Sequence, residues 1–283
     1  MKTQADILNT DVSTIDTSNI KNWDDLDLKN DILRGIYSYG FERPSDIQQK
    51  AILPIINKRD VIAQAQSGTG KTATFTLGVL GRINVAENKT QALILAHTRE
   101  LALQINNVFR QIGNYMDVVF NLSIKGITTS ENIEALCKKP RKPHIVIGTP
   151  GRVLDMINKR ALQIDTLKML VIDEADEMLS EGFVDQIYNI MRTMPPKMQV
   201  CLFSATMPNE FFGLTEKFMR NPIKVLVKTD QLTLEGIQQY YINVERNEFK
   251  YDVAPYISHT LESELKAKKN PKKPMSDRQF KRI

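Results

Sequence analysis

Apolar positions along this chain keep two rhythms. After Trp23, the residues Leu33, Ile36 and Tyr37 recur at helical spacing, Gly40 stops that run, and Ser45 with Gln48 makes a capping-box start for a second helix. The pattern then shifts to short β-branched runs with helical stretches between them: VIAQ (61–64), ALILAHT (92–98), VVFNLSI (118–124), HIVIGT (144–149), MLVIDEA (169–175), VCLFSAT (200–206) and KVLV (224–227). Apolar runs that alternate with helices predict a parallel sheet buried on both sides, here a doubly wound α/β domain with helices on both faces over residues 22–228. Residues 1–21, rich in Thr, Asp, Asn and Ser, read as a mobile polar leader. Residues 229–250 read as an extended linker, and 251–283 as a short helix with a disordered basic tail.

A hydrophobic content of 42% in 283 residues is enough to fill such a core. No run approaches the roughly 18 apolar residues of a membrane span. The polar start MKTQADILNTD lacks the basic-then-apolar order of a signal peptide, so a soluble cytoplasmic protein with no membrane partner is expected. Cys137 and Cys201 form no CxxC or Cys/His cluster and are expected as core thiols. Of the net charge of +5, the tail Lys266–Ile283 carries +7, eight basic residues against Asp277, which leaves −2 for the first 265 residues. Any nucleic acid held by the body is therefore held by a local arrangement. The tail itself fits a solvated charge run, an electrostatic RNA contact or a nuclear import signal of the KKxxKK sort.

The polar motifs fall at the carboxyl ends of these runs: QSGTGKT after the first, TRE after the second, TPGR after the fourth, DEAD in the fifth and SAT in the sixth. Open parallel sheets bind their ligands at that rim. In AQAQSGTGKT, Gly68 and Gly70 leave room for phosphate oxygens against backbone N–H groups, Lys71 reaches terminal phosphates, and Thr72 can hold magnesium at a helix start. The GxxxxGKS/T pattern wants glycine where Ala65 stands. Asp173 and Glu174 suit a pair in which the aspartate serves magnesium and the glutamate polarises a water; alone, they also suit acids capping the next helix. Helix starts and short side chains at Thr98, Gly126, Thr149 and Gly151 suit a sugar-phosphate backbone gripped without reading sequence, with Arg99 and Arg152 adding charge. The plainer reading of TRE and TPGR is loop capping and a surface Arg/Glu pair.

The run DEAD at Asp173–Asp176, with AQSGTGKT before it and SAT at Ser204–Thr206 after it, resembles the first RecA-like domain of the DEAD-box RNA helicases. The likeness covers residues 22–250. That family writes its phosphate loop AxxGxGKT, with alanine at the place of Ala65. The segments LRGIYSYGFERPSDIQQKAI, AQSGTGKTATF and TLEGIQQYYINVE look most like its translation initiation factor four-A group.

The resemblance implies a single RecA-like P-loop domain and an RNA-stimulated ATPase that opens short duplexes, with Mg2+ and ATP as cofactors. It implies that Phe41 stacks on adenine with Arg43 beside it and that Gln48 bonds the base edge. Ala65, Gln66, Ser67, Gly68, Thr69, Gly70, Lys71 and Thr72 would cradle the nucleotide. Thr72 and Asp173 would serve Mg2+ through water, and Glu174 would act with Asp173 and Lys71 as the catalytic set. Thr98, Arg99, Glu100, Gly126, Thr149, Pro150, Gly151 and Arg152 would face RNA, and Asp176, Ser204 and Thr206 would couple the two sites. Two departures stand out: His97 replaces the usual proline before TREL, and Lys125–Gly126 replaces a glycine pair. Nothing after Ile237 resembles the HRxGRxGR segment of the family's second domain, so half of an ATP site is expected, completed by a second RecA-like domain or a scaffold in trans. The alternatives are a truncated RNA- or partner-binding module that does not unwind, and a P-loop enzyme acting on a small molecule.

Overall fold

The protein is described by a computed structural model over residues 19–179, 182–207, 215 and 217–226. These all lie in one compact unit, Met1–Leu232. The linker and tail expected over 229–283, and all of the leader before residue 19, fall outside the described residues.

Each expected apolar run contains a strand: β1 (Val61–Gln64), β2 (Ala92–Leu95), β3 (Phe120–Ser123), β4 (Ile145–Gly148), β5 (Met169–Ile172), β6 (Gln199–Ser204) and β7 (Ile223–Leu226). They pair in parallel in the order β3-β4-β2-β5-β6-β1-β7. β2 to β5 are shorter than their runs because the flanking residues leave the ladder to form turns, whereas β1 fills its run and β6 and β7 each begin one residue earlier than expected. In register, Leu95 meets Gly148 and Ile172, Ile172 meets Leu202, and Gln64 meets Ser204 two residues further along β6. The residues that follow these positions therefore emerge along one rim.

The helices are α1 (Asn30–Tyr39) and α2 (Asp46–Ile56), which precede β1, and, between the strands, α3 (Lys71–Arg82), α4 (Arg99–Ile112), α5 (Thr129–Ile133), α6 (Pro150–Asn158), α7 (Ala175–Met178) and α8 (Val184–Thr193). Strand side chains alternate faces, so one sheet feeds two cores. Ala63, Ile94, Ile147, Val171 and Phe203 pack with α1 to α4, while Ile62, Leu95, Val146, Ile172 and Leu202 pack with α6, α7 and α8. On α4 the buried residues Ala102, Ile105, Phe109 and Ile112 form the apolar stripe, and the Thr98 hydroxyl caps its start by accepting the Leu101 N–H at 3.2 Å.

Close helix crossings fix the first layer. A Cβ on Gly35 of α1 would lie 1.9 Å from the Ile112 carbonyl oxygen of α4, and one on Gly78 of α3 would lie 2.5 Å from the Ile55 side chain of α2. Gly40 ends α1 at φ 91°, as its position predicts. Tyr37 departs from the expected apolar stripe: it is exposed and its hydroxyl donates to Asp24 at 2.5 Å. Cys201 is a core thiol, but Cys137 is not. The helix at α5 runs into a π turn, Glu134–Lys138, in which Leu136 faces the core and Cys137, one position on, faces out and donates to the Ala161 carbonyl at 3.2 Å.

At the amino-terminal rim the buried polar groups are structural. Asp60 accepts the Val200 and Arg220 N–H groups at 2.9 and 2.6 Å, and the Gln199 amide donates to the Ile55 carbonyl at 3.0 Å. Among the described residues, no helix is long and apolar enough to cross a membrane.

Candidate functional site

The phosphate loop leaves β1 at Gln64 and enters α3 at Lys71. Ala65 is fully buried in the first core layer, and its N–H donates to the Ser204 carbonyl at 3.1 Å. A small side chain fits there for packing reasons, and the loop's freedom begins later, at Gly68 (φ 86°) and Gly70 (φ 97°). Between them Thr69 turns its hydroxyl onto the Gln66 carbonyl at 2.8 Å. Ser67 and Gly68 are exposed, and Gln66 and Thr72 are half-buried.

Lys71 lies back across this loop. Its ammonium donates to the Ala65 carbonyl at 3.0 Å and pairs with Glu174 at 3.6 Å, with only 6% of the side chain exposed. Glu174 follows β5 in a left-handed conformation (φ 47°, ψ 56°), which costs a non-glycine residue on the order of 1 kcal/mol. That turn brings its carboxylate toward Lys71. Asp173, the residue before it, is 1% exposed and accepts the Glu174 N–H at 3.0 Å. Burial pushes the Asp173 carboxyl up to about 7; the Glu174 charge adds to the rise, while the Glu174 N–H and Lys71 oppose it. Two carboxylates thus share one cation, and the cluster holds an excess of negative potential.

The expected adenine side is built from the α1–α2 connection. Phe41 is half-buried against Tyr39 and Trp23, with ring centroids 4.6 and 6.0 Å away, and Arg43 is exposed. Gln48 is turned inward, 4% exposed. Its Oε1 accepts the Ser45 N–H at 2.7 Å and its Nε2 reaches the Gly70 carbonyl at 3.5 Å, while the Ser45 hydroxyl donates to the Thr69 carbonyl at 2.9 Å. The cap of α2 and the phosphate loop therefore form one hydrogen-bonded unit.

Asp176 connects DEAD to SAT. Its Oδ2 accepts both the hydroxyl and the N–H of Thr206, at 2.8 and 3.0 Å, and its own N–H donates to the Ser204 hydroxyl at 3.3 Å. Burial alone would raise this carboxyl, but the bonds from Thr206 and Ser204 outweigh it and hold Asp176 below the usual range. The Gln64 amide donates to the Ala205 carbonyl at 3.2 Å, so β1, β6 and α7 are linked at their tips.

The remaining motif residues converge further along the rim. Thr98, Arg99 and Glu100 are exposed at the start of α4. At the start of α6, Gly151 is exposed, Thr149 and Arg152 are half-buried and Pro150 is buried. Between the two helices runs the turn Ile124–Ile127, with Lys125 and Gly126 at its corners. Arg99 packs on Gly126, whose absent Cβ would lie 2.5 Å from the Arg99 Nη1. Arg152 donates to the Ile127 carbonyl at 2.8 Å and to Asn132 Oδ1 at 3.1 Å. The Arg/Glu surface pair of the plainer reading is not formed; Arg152 instead fastens the turn. His97 leaves its Nδ1 buried without a partner, which a proline at that place would avoid.

Three contributors were missed from sequence. Gln64 and Asn132 carry no motif, and Gln186 of α8 reaches Gly151 only through the fold, its Oε1 3.3 Å from where a Cβ of Gly151 would stand. No local pattern marks them.

Comparison with known proteins agrees with this fold. The sequence model of the DEAD/DEAH box helicase family matches residues 45–212. The ATP-dependent RNA helicase eIF4A of Candida albicans is 59% identical over 230 residues, 81% of this chain and 57% of that protein. The protein of the same name from Schizosaccharomyces pombe is 56% identical over 233 residues, 82% of this chain and 59% of its own length. The chain thus spans somewhat over half the length of these curated relatives. Among solved structures, S. cerevisiae Dbp5 bound to RNA and ADP BeF3 superposes with a TM-score of 0.74 at 32% identity, over 88% of this chain and 67% of that one. A DEAD box protein from Methanococcus jannaschii gives 0.71 at 34% identity, over 84% of this chain and 63% of that one. With its phosphate loop, acidic pair and SAT turn joined at one sheet rim and the family model matched across them, this chain belongs to the DEAD/DEAH box helicase family.

Proposed function

We propose that this chain is the ATP-binding half of an ATP-dependent RNA helicase, holding Mg·ATP on the phosphate loop and an RNA backbone on the adjoining rim. The observation that carries this reading is the continuous path from Lys71 and Glu174 through α7 to Asp176 and Thr206, on the same sheet rim that carries Thr98 and Thr149. Binding a phosphate requires Lys71 to exchange the Ala65 carbonyl and Glu174 for phosphate oxygens. Released from Lys71, Glu174 is free to orient a water, and the left-handed turn at its backbone fixes the direction it faces. Asp176 meanwhile keeps the SAT turn registered on α7, so a shift at Glu174 is carried along α7 to the SAT turn.

The donors present suit magnesium delivered with a nucleotide. Among the described residues no three His, Cys, Asp or Glu side chains gather into a metal cage. Mg2+ prefers one or two carboxylates completed by phosphate oxygens and water, and Asp173 with Thr72 is such a set. Once bound, the ion would neutralise phosphate charge and relieve the crowding of Asp173 by Glu174.

The RNA reading rests on Thr98, Arg99, Gly126, Thr149 and Gly151, which offer helix starts, small residues and an exposed guanidinium, groups that grip phosphates and sugars rather than base edges. Work in translation initiation accords with the names of the eIF4A relatives. The test is RNA-stimulated ATPase of the full chain, alone and with the second domain of one of those relatives added in trans. Little turnover alone and a marked rise on addition would support the half-site reading, since an arginine finger contributes roughly 10³ to 10⁵ in phosphoryl-transfer enzymes. Full turnover alone would overturn it, and RNA binding without rescue would favour the non-unwinding module.

A further inference from the structure

Away from the rim that carries the motifs, basic residues gather at the other end of β4 and α6. Residues 138–142 read KKPRK, four basic positions in five, and Lys159 and Arg160 follow α6. The 38 basic residues of the chain, less the eight of the tail, leave 30 in the first 265, about one in nine, so the loop is several times denser in charge than the body around it. The Cys137 thiol donates to the Ala161 carbonyl at 3.2 Å and draws the two basic segments together. Acids offset part of this charge: Asp117 pairs with Arg141 at 2.9 Å, Asp155 pairs with Lys159 at 2.6 Å, and Glu134 stands one turn before Lys138, which leaves six cations against three acids. The loop is fixed in place. Asn88 holds it from both sides, donating to the Pro140 carbonyl at 2.8 Å and accepting the Lys142 N–H at 2.7 Å, and the Lys139 N–H returns to the Glu134 carbonyl at 3.1 Å. A segment pinned in this way presents its cations at little further ordering cost and is not free to straighten as an import signal.

Asp117, which meets Arg141, also lies on the wall of a cavity of about 280 Å³ between the start of α1 and the end of α3. One side of that wall is apolar, Ile83, Val85 and Met116, and beside it stand Lys29 and Arg82. Val85 is 39% exposed, an apolar side chain turned to solvent at this opening. Lys29 donates to the Ile83 carbonyl at 3.3 Å. Arg82 is half-buried, bonds Gln199 Oε1 and, among the described residues, has no carboxylate beside it; burial pulls its guanidinium below the ordinary value. Asp31, the other acid of the wall, stands 4.0 Å from Arg34. An apolar wall that adjoins a cationic surface suits a peptide whose carboxylates flank an apolar side chain. A nucleic-acid strand offers that wall no aliphatic side chain, and residues 134–143 and 158–165 hold no aromatic ring on which a base could stack.

We propose that this surface docks an acidic segment of a partner protein, seating one apolar side chain against Ile83, Val85 and Met116 and setting its carboxylates on Arg82 and on the loop 138–142. The surface is separate from the phosphate loop and from the motif rim, since β4 and α6 each put roughly 13 Å between their two ends. The probe is a fluorescein-labelled oligoglutamate peptide with one central leucine, its anisotropy titrated with the whole chain over a salt series. The wild type should bind it with an affinity that falls as salt rises. K138E/K139E, in which two exposed side chains change sign, should weaken binding roughly tenfold at low salt, whereas K138R/K139R should retain it. Replacing the leucine of the peptide with serine should weaken binding to the wild type several-fold, and V85E should do the same. Unchanged peptide binding by K138E/K139E overturns the proposal and leaves the basic tail as the binder, and an indifferent leucine replacement overturns the seat in the cavity. If K138E/K139E loses affinity for a uridine homopolymer but not for the peptide, the surface belongs to RNA and the proposal fails. A wild-type chain that does not bind the peptide at low salt overturns the docking outright. Thermal melts matching the wild type show that each variant is folded.

Discussion

Replacing Asp173 with Asn should stabilise the metal-free protein at neutral pH while removing a group that the proposed function needs. The Asp173 carboxyl, ordinarily near 3.8, is pushed up to about 7 by burial and by Glu174. A raised carboxyl favours the fold fully below its unfolded value, and that support is lost as pH climbs through the folded value. Roughly three pH units at 1.36 kcal/mol each amount to about 4 kcal/mol once the group is ionised, with about 2 to 3 kcal/mol of it falling between about pH 5 and pH 8. Asn keeps the oxygen that accepts the Glu174 N–H and carries no charge. Urea unfolding with chelator present should therefore show the advantage of D173N over wild type growing by about 2 to 3 kcal/mol across that range, or roughly 5 to 10 °C in melting temperature for a domain of this size. A difference between the two proteins that does not change with pH would refute the reasoning. Nucleotide binding in magnesium should fall in the same variant.

Other expectations follow from the same contacts. E174Q removes the second cause of the rise at Asp173, so the pH at which wild-type stability falls should move down, as read from the same unfolding series. T206V deletes one of two bonds to Asp176; at this exposed residue the stability loss should be about 1 kcal/mol, with ATP affinity unchanged in equilibrium titration and RNA stimulation reduced. G35A forces a methyl to within 1.9 Å of the Ile112 carbonyl, a backbone atom that cannot rotate away, and should destabilise by about 3 kcal/mol or prevent folding, seen in the urea midpoint. R152Q should weaken RNA binding by releasing the turn at Ile127, with faster proteolysis of residues 124–133 than in wild type.

The fold was legible because burial on two faces leaves unbroken apolar runs for the inner strands β2, β4 and β5 and mostly apolar ones for the rest, and the site because its motifs end those runs. What stayed hidden depends on contacts distant in sequence. Gln48 reads as the capping-box partner of Ser45, which it is, yet the crossing of α2 over α3 also brings its amide onto Gly70. Arg152 reads as surface charge, yet Ile127 and Asn132 arrive from another connection to receive it. Cys137 reads as a core thiol because it belongs to no CxxC or Cys/His cluster, and a π turn puts Leu136 rather than Cys137 toward the core. Tyr37 fits the helical rhythm of α1 but meets Asp24 outside the core. Ala65 is the instructive opposite: a lone methyl in the sequence that proves to be fixed by packing beneath the loop.

The left-handed backbone at Glu174 has a consequence for anyone redesigning this domain. Judged by fold alone, glycine or asparagine belongs at that position, and a search for stabilising substitutions would propose one of them. Under the proposed function, glutamate there satisfies a requirement that sequence optimisation against the fold alone does not register. A stability-guided design that leaves position 174 open will drift toward an inert scaffold, and its higher melting point will record the loss of the residue that faces Lys71.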